Sequence, residues 1–313
     1  MYSENRGFVQ IIREICLEKN INFKLLSYNY IIELEKDNKV RHLIANRFDL
    51  NNEACGNIAC DKYATFCVLD SQNVPACKHI MLFNPNTRKE YIPENGNYAI
   101  INELFSKNDK IVVKPNDGCK GLDVYLCNNY KEAELAINKI FKNSDSLSIS
   151  PFYKAKTEYR TFYLDGEIKL VYAKEKPYVI GDGQSSLIEL IKKEDFTYNT
   201  VFKQNLTFIE KDYVPAKGEK VEISWKFNLS GGAKPRIITK EDANYETICS
   251  LAKKAGKAMN AKFVTIDILE TENDFLVLEI NSGVTGDKFI KYTEDGYNII
   301  KTIYAEAIDK MFQ

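Results

Sequence analysis

Three oxygen-bearing side chains lie in two adjacent apolar segments of the sequence. Asp267 lies within FVTIDIL, and Glu279 and Asn281 lie within FLVLEIN, after a predicted turn at Thr271–Asp274. Because strand side chains alternate, Glu279 and Asn281 should share one face of their strand. Carboxylates in apolar strands are costly unless they are paired or bind a metal ion. The pattern predicts an oxygen-lined Mg²⁺ site, and two solvated strand ends are the alternative.

A second chemical pattern is the segment KIVVKPNDGCKGLDVYL, which runs from Lys110 to Leu126. It predicts a buried strand ending at Lys114, a polar loop and a returning strand. The four residues at the centre of the loop are Gly118, Cys119, Lys120 and Gly121. Glycines let backbone N–H groups approach anionic oxygens, and Lys114 adds a positive charge. A phosphate-binding loop is predicted. An ordinary hairpin with a surface lysine is the alternative, since short glycine motifs also arise by chance.

The composition is that of a globular protein. The 313 residues are 44% hydrophobic and 28% charged, which is enough to bury a full core and to form two or three subdomains. A formal net charge of −1 argues against partners such as nucleic acid or a membrane surface. No apolar run of membrane-spanning length or signal-peptide pattern occurs, so we expect a cytoplasmic protein. The eight cysteines form no CxxC pair, which favours reduced thiols over a zinc site.

Periodicity predicts an α+β fold that begins with a small N-terminal α/β unit of one helix and three strands. The predicted helices are Phe8–Glu18, Asn57–Leu69, Asn97–Phe105, Tyr130–Lys142, Thr239–Asn260 and Tyr297–Phe312. In the fourth helix, Leu135 is predicted to face the core. Thr239 is predicted to cap the fifth. Asp165-Gly166 is a strong hairpin signal between two long strands.

Six segments, taken in chain order, resemble the ATP-grasp superfamily: KIVVKPNDGCKG, EYRTFYLDGEI, VIGDGQSSLIELI, WKFNLSGGA, TIDI and VLEINSG. Within it, the motifs are most similar to the branch of cyanophycin synthetase and the bifunctional glutathione synthetases, over about residues 55 to 290. The resemblance implies two α+β lobes that clasp ATP behind a short N-terminal subdomain. The implied boundaries are 1–75 for that subdomain, 76–154 for the central lobe and 155–313 for the C-terminal lobe.

The resemblance also implies an activity. It is an ATP-dependent carboxylate–amine ligase that phosphorylates a carboxylate to an acylphosphate, adds an amine to form a peptide-like amide, and releases ADP and phosphate. The expected partners are amino acids or short peptides, with no nucleic acid or membrane, and a homodimer is a candidate assembly. A kinase or carboxylate–thiol ligase on the same scaffold is one alternative. A non-catalytic nucleotide-binding protein is another.

Residue roles follow from the same resemblance. Lys114 and Lys174 would contact phosphates, the loop Gly118–Gly121 would cover them, and Glu158 would bind the ribose. The adenine-binding hinge would consist of Pro151, Phe152, Tyr153 and Lys154. The implied catalytic residues are Arg160, Lys226 and Asn228. The implied ligands for Mg²⁺, or for Mn²⁺, are Asp267, Glu279 and Asn281.

Two positions depart from the superfamily pattern. Phe66 follows Thr65 where relatives carry a second phosphate-binding lysine, and Pro151 stands where the hinge usually begins with an acidic or amide side chain. Both changes would weaken nucleotide binding and leave the metal ligands intact. In the N-terminal subdomain, the candidates for substrate selectivity are Tyr28, Tyr30, Arg41, His42 and Arg47, although ordinary surface and core roles are the simpler interpretation.

Overall fold

A computed structural model describes residues 7–118, 121–194, 210 and 212–313. The N-terminal unit consists of helix α1 (Gly7–Glu18) and strands β1 (Asn22–Leu26), β2 (Ile31–Lys36), β3 (Lys39–Ile44) and β4 (Arg47–Phe48), which form one antiparallel sheet in chain order. Asp37 and Asn38 both have positive φ in the β2–β3 turn, as a tight hairpin requires. The predicted α/β unit is therefore present, but the third predicted strand is interrupted at Ala45, which has a φ of 57°, and forms the two strands β3 and β4.

The single helix predicted over Asn57–Leu69 is wrong. Two helices occupy the region, α2 (Glu53–Cys60) and α3 (Lys62–Ser71), and Asp61 lies between them. Asp61 is extended at φ −114° and its Oδ1 accepts a hydrogen bond of 2.7 Å from the backbone N–H of Ala64. An aspartate in this position caps the second helix and interrupts the first.

A four-stranded antiparallel sheet, called here the phosphate sheet, has the order β5-β8-β6-β7. Its elements are β5 (Ile80–Phe83), α4 (Gly96–Lys107), β6 (Ile111–Pro115), β7 (Tyr125–Cys127), α5 (Tyr130–Phe141) and β8 (Ser146–Pro151). Helices α4 and α5 cover one face through a core that includes Val113 and Ile149. Leu135, predicted to be buried on α5, is 63% exposed. The prediction was wrong because Ala133, Ala136 and Ile140 already fill the buried stripe of that helix.

A five-stranded antiparallel sheet, the central sheet, has the order β13-β10-β9-β14-β15. The remaining elements in chain order are β9 (Thr157–Leu164), β10 (Glu167–Glu175), β11 (Tyr178–Ile180), α6 (Leu187–Lys193), β12 (Lys220–Glu222), β13 (Lys234–Ile237), α7 (Tyr245–Ala258), β14 (Phe263–Glu270), β15 (Phe275–Asn281), α8 (Asp287–Tyr292) and α9 (Gly296–Phe312). Asp165 and Gly166 join β9 to β10 with φ of 48° and 93°. The predicted hairpin at this dipeptide is confirmed.

Helix α7 begins later than predicted. The backbone N–H of Thr239 donates a 2.9 Å hydrogen bond to Asp242 Oδ2. The chain there forms two successive turns, in which Asp242 N–H bonds to Thr239 O and Tyr245 N–H bonds to Asp242 O. Each turn spans only three residues, so the helical ladder starts at Tyr245. The capping pattern marked the approach to the helix and not its first turn.

The two faces of the central sheet have different neighbours. Helix α7 covers one face with apolar side chains such as Ala252 and Ala255. On the other face, Phe162 and Phe263 join a core with Phe8 of α1 and with α9. Farther along the same two strands, this face carries the charged pair Arg160 and Asp267. The division into residues 1–75, 76–154 and 155–313 stays a prediction.

Candidate active site

Lys114 lies on the face of the phosphate sheet that the helices leave uncovered. Its strand partner is Ser148, and both side chains are buried. Burial and the nearby ammonium of Lys62 lower the pKa of Lys114 to about 8, whereas Glu279 and Glu158 favour its charged form. The last two residues belong to the central sheet, so Lys114 lies within electrostatic reach of both sheets.

Lys62 is a part of this site that the sequence argument missed. Its Nζ donates hydrogen bonds of 3.1 Å to the carbonyl of Asn116 and of 2.7 Å to that of Gly118, so it holds the start of the predicted phosphate loop. The backbone N–H of Tyr63 also donates to Asn116 Oδ1. The available signal was the Asp61-Lys62 pair, which places a lysine at the first turn of a helix. Cys119 and Lys120, predicted to belong to the same loop, lie outside the described residues.

Four charged side chains form one network on the central sheet. Asp267 is 1% exposed and accepts three hydrogen bonds: 2.7 Å and 2.6 Å from Arg160 and 2.9 Å from Lys174. Lys174 also donates to Glu158. The network arises from register, because Glu158 pairs with Lys174 across β9 and β10, and Arg160 pairs with Asp267 across β9 and β14.

The cations of this network favour the charged form of the carboxylate that they surround. Arg160 and Lys174 hold the pKa of Asp267 well below its usual range despite the opposing effect of burial. Burial raises the pKa of Glu158, and Lys174 opposes that rise. In this arrangement the predicted phosphate contact Lys174 and the predicted ribose contact Glu158 bind each other.

The three predicted metal ligands share one face. Asp267 pairs directly with Glu279, and Asn281 pairs with Thr265 two positions away. Glu279 is half-buried and accepts a 3.1 Å hydrogen bond from Asn281 Nδ2. Within the part of the chain that the structure describes, no protein group donates to its second carboxylate oxygen or to Asn281 Oδ1.

These oxygens suit a hard divalent cation, which takes carboxylate and amide oxygens and completes its shell with water or phosphate. Glu279 and Asn281 fit that requirement as they stand. Asp267 has three of its acceptor positions filled by N–H groups, so it would join a metal ion only by giving up part of its contact with Arg160 or Lys174. No cluster of three or more His, Cys, Asp or Glu side chains suited to a metal occurs among the described residues.

Lys226 and Asn228 lie against the far side of the phosphate loop. Lys226 Nζ donates a 2.9 Å hydrogen bond to the carbonyl of Val124, and burial lowers its pKa to about 8. Gly121 has φ +70°, and a Cβ there would lie 2.6 Å from Nδ2 of Asn228. The close approach and the left-handed backbone both require glycine at this position.

The predicted hinge follows β8 directly. The N–H of Phe152 bonds to Lys110 O at 3.0 Å, and the hydroxyl of Tyr153 accepts a 2.9 Å bond from the N–H of Lys78. The ring of Phe152 contacts Trp225 at a centroid distance of 5.6 Å. Pro151 is the last residue of the strand and pairs with Ile111, and Lys154 lies outside any helix or strand.

His79 lies where the two sheets meet. It is 2% exposed, and its Nδ1 is 2.9 Å from the hydroxyl of Ser148 on the phosphate sheet. Burial and the charges of Lys114 and Lys62 hold its pKa well below the ordinary value, although the backbone of Leu278 on the central sheet favours the protonated form. The side chain of His79 is therefore a neutral imidazole, and it lies between the two sheets behind Lys114.

Of the N-terminal selectivity candidates, Arg41 is engaged structurally, since its Nε donates a 2.5 Å bond to the carbonyl of Met311 on α9. His42 pairs with Glu33 on the outer face of the sheet. The β3–β4 turn instead contacts the loop that follows the predicted metal ligand Asn281. There, Asn46 O accepts a 2.9 Å hydrogen bond from the N–H of Val284. Arg47, the next residue, donates to Cys60 Sγ. Tyr28 and Tyr30 are exposed.

The fold has clear structural relatives. A bifunctional glutathione synthetase from Pasteurella multocida superposes with a TM-score of 0.58 at 18% identity, covering 96% of this chain and 44% of that one. A D-alanine–D-alanine ligase from Bacillus anthracis superposes with a TM-score of 0.55 at 14% identity, over 85% of this chain and 74% of that one. This chain has the ATP-grasp fold. The α+β class and the ATP-grasp fold predicted from the six motifs are confirmed.

Sequence comparisons of the ATP-grasp chain agree with the fold. Residues 209–306 match the RimK-like ATP-grasp domain. A cyanophycin synthetase from Trichormus variabilis is 23% identical over 320 residues, which is 94% of this chain but 34% of the relative. The ATP-grasp chain thus spans about a third of the length of the curated relatives it matches. Among its described helices, none has the length and apolar character needed to cross a membrane.

Proposed function

We propose that this chain is an ATP-dependent carboxylate–amine ligase that forms a peptide-like amide through an acylphosphate and releases ADP and phosphate. The observation that carries the proposal is the approach of Lys114 on one sheet to Glu279 and Glu158 on the other. Such a cleft combines a cation for phosphate oxygens with hard oxygen donors for a divalent metal. Those are the groups that phosphoryl transfer requires, because its catalysis is mainly positioning and charge neutralisation.

The nucleotide would lie between the two sheets. Lys114 and Lys62 would bind phosphate oxygens, and the loop that starts at Asn116 would cover them. The backbone of the hinge, residues 151–154, would hold the adenine. Within the network, Lys174 and Glu158 would exchange their mutual contact for the phosphates and the ribose. These cations would contribute by neutralising the charge of several anionic oxygens in one cleft.

Mg²⁺, or Mn²⁺, would be held by Glu279 and Asn281, and by Asp267 once it loosens from Arg160 or Lys174. A bound ion of this type would neutralise charge on the transferred phosphoryl group. The freed guanidinium of Arg160 would then face the substrate carboxylate or the transferred phosphate. Lys226 and Asn228 would lie on the acceptor side, where Gly121 leaves room for close approach.

The donor would be an amino acid or short peptide and the acceptor an amino compound. Two features support small polar substrates: the number of cations on one face of the central sheet, and the Asn46 turn that reaches the loop after Asn281. A homodimer is compatible with this proposal. We propose no nucleic-acid or membrane partner.

A kinase or a carboxylate–thiol ligase would use the same nucleotide groups and differ only in the acceptor. The distinguishing experiment measures ADP release by the purified chain with Mg·ATP against a panel of amino acids and short peptides, followed by mass spectrometry of the products. The ligase proposal requires ADP release that depends on a carboxylate and an amine together with a new amide. ADP release with a substrate that lacks a carboxylate would replace it by the kinase.

Matched variants locate the chemistry. Glu279→Gln should abolish ADP release, whereas Glu306→Gln, on α9 where the carboxylate pairs with Lys169, should not change it. The proposal fails if calorimetry detects no binding of Mg·ATP by the wild type at millimolar nucleotide.

A further inference from the structure

His79 directly precedes strand β5 and lies on the uncovered face of the phosphate sheet. Met81, two residues later, pairs with Ser148 on β8, and Ser148 pairs with Lys114 on β6. Residues two apart on a strand share a face, and so do directly paired residues. His79 extends this row, because its Nδ1 lies 2.9 Å from the hydroxyl of Ser148. The side chains of His79, Ser148 and Lys114 are all buried and form one polar row across the sheet.

The residues before His79 are attached to the central sheet. The backbone N–H of Val277 donates a 2.9 Å hydrogen bond to Pro75 O, and the N–H of Cys77 donates a 2.8 Å hydrogen bond to Val277 O. Val277 belongs to β15 and lies two residues before Glu279. The segment that enters His79 is therefore fixed to the strand that carries a proposed metal ligand.

These contacts form a short connection between Lys114 on one sheet and Glu279 on the other. From Glu279 to residue 79, the connection runs along the backbone and through backbone hydrogen bonds. The pairing of Ser148 with Lys114 is also a backbone contact. The contact between His79 and Ser148 is the step of this connection that side chains make. A single substitution can therefore break it.

Stability alone does not explain the burial of this imidazole. Its Nε2 is buried and has no hydrogen-bond partner of ordinary geometry among the described residues. An unpaired buried polar atom lowers stability, and an apolar side chain of similar size would avoid that cost. A histidine at this position therefore points to a requirement for its contact with Ser148.

We propose that His79 is a positioning residue, which sets the separation between the ammonium of Lys114 and the carboxylate of Glu279. The inference rests on the proposed function, in which these two groups bind the same phosphoryl group, one directly and the other through a divalent metal ion. At the correct separation a nucleotide phosphate contacts both groups at once, so metal and nucleotide strengthen each other's binding. At another separation each group binds alone.

The test is the Mg²⁺ dependence of ATP binding, measured by calorimetry with Mg²⁺ and with EDTA. In the wild type, Mg²⁺ should tighten ATP binding about tenfold, within the range for coupling between two ligands. In His79→Leu this ratio should fall below about threefold, although Lys114 and Glu279 are both present. The inference is overturned, and the proposed function stands, if His79→Leu keeps the ratio of the wild type. If the wild type binds no nucleotide, both are overturned.

Further variants separate positioning from general support of the fold. His79→Leu leaves the hydroxyl of Ser148 unpaired, so the double variant His79→Leu/Ser148→Ala removes both partners and should fold with the same loss of Mg²⁺ dependence. His79→Asn places an amide atom near the position of Nδ1 and should keep the ratio within about threefold of the wild type.

Leu82→Ala is the control for a packing defect. It removes side-chain volume from the helix-covered face of the same sheet, so it should lower the free energy of unfolding and leave the Mg²⁺ dependence unchanged. If Leu82→Ala lowered the ratio as much as His79→Leu does, any loss of packing would be sufficient and the positioning role would be contradicted.

Discussion

Arg160 binds both carboxylate oxygens of Asp267 across paired strands, with Nε 2.7 Å from Oδ1 and Nη2 2.6 Å from Oδ2. Asp267 is 1% exposed and also binds Lys174. A bidentate, buried pair of this kind has strict geometry, and removing one partner leaves the other charges without compensation. The same aspartate is thus a structural centre and a proposed metal ligand.

We therefore predict that Asp267→Asn lowers the free energy of unfolding by about 3–5 kcal/mol, the range for breaking a buried ion pair from one side. Glu279→Gln, at a half-buried position whose side chain hydrogen-bonds only with Asn281 among the described residues, should cost less than about 1 kcal/mol. Urea unfolding followed by circular dichroism measures both. A loss for Asp267→Asn as small as that for Glu279→Gln, below about 1 kcal/mol, would show that the network contributes little to stability. ADP release should vanish in both variants.

Nucleotide binding should take up protons near pH 8. The pKa of Lys114 is lowered to about 8, so a large fraction of the free protein carries a neutral amine at that pH. Phosphate oxygens favour the ammonium form, which means that binding raises this pKa and that affinity falls as the pH rises above 8. Calorimetry of ATP binding at pH 8 in two buffers of different ionisation enthalpy gives the number of protons.

Lys114→Arg provides the control for that measurement, because a guanidinium stays charged at every pH used. Proton uptake should decrease in this variant, and what remains would come from Lys226, whose pKa is also lowered to about 8. The assignment would be refuted by equal proton uptake in Lys114→Arg and in the wild type.

Lys62→Met should weaken ATP binding about 10–100-fold, the range for losing charge-assisted hydrogen bonds. The variant lacks the ammonium group that is proposed to bind phosphate oxygens. It also lacks both hydrogen bonds that hold Asn116 and Gly118. Equilibrium dialysis with labelled ATP is the measurement. Lys131→Met, at an exposed lysine on α5, should bind as the wild type does.

Phe66→Lys tests the position at which this helix departs from the superfamily pattern. It should tighten ATP binding if residue 66 faces the α-phosphate, and leave it unchanged or weaker if Phe66 is part of the core. Because Lys62 lies on the same helix and already reaches the loop, restoring a lysine at position 66 in Lys62→Met asks whether one cation can replace the other.

Gly121→Ala should lower ADP release by about 10–100-fold, since the added methyl group would displace the side chain of Asn228, a proposed catalytic residue. Gly166→Ala is the matched control: its φ of +93° is also left-handed, but a Cβ there meets nothing within 4 Å. Both variants should therefore share the cost of strained backbone, about 1 kcal/mol. Only Gly121→Ala should lose activity, as steady-state kinetics will show.

The sequence was sufficient for features that depend on short-range periodicity. Asp267, Glu279 and Asn281 lie within one hairpin, so alternation along two strands already placed them on one face. Lys114 and the glycine loop follow a single strand. In each case the positions are close in the chain, and local geometry decides where the side chains point.

Features that depend on distant partners could not be predicted in this way. Lys62 joins the site only because its helix packs on a loop more than fifty residues away. The pairing of Lys174 with Glu158 requires the register of two long strands. The predictions that Leu135 faces the core and that Thr239 caps a helix were wrong for a related reason. An apolar residue or a capping pair is compatible with several local structures, and the neighbouring elements select one of them.

Phe162 and Arg160 lie two residues apart on one strand, and both point to the same face of the central sheet. The first packs with Phe8 and Tyr304, and the second belongs to the charged network. A chimaera that replaced the first 75 residues with those of a relative would therefore change the packing beneath the strand that carries Arg160. A transfer of substrate preference between such proteins should succeed only when the residues that contact Phe8 are transferred as well.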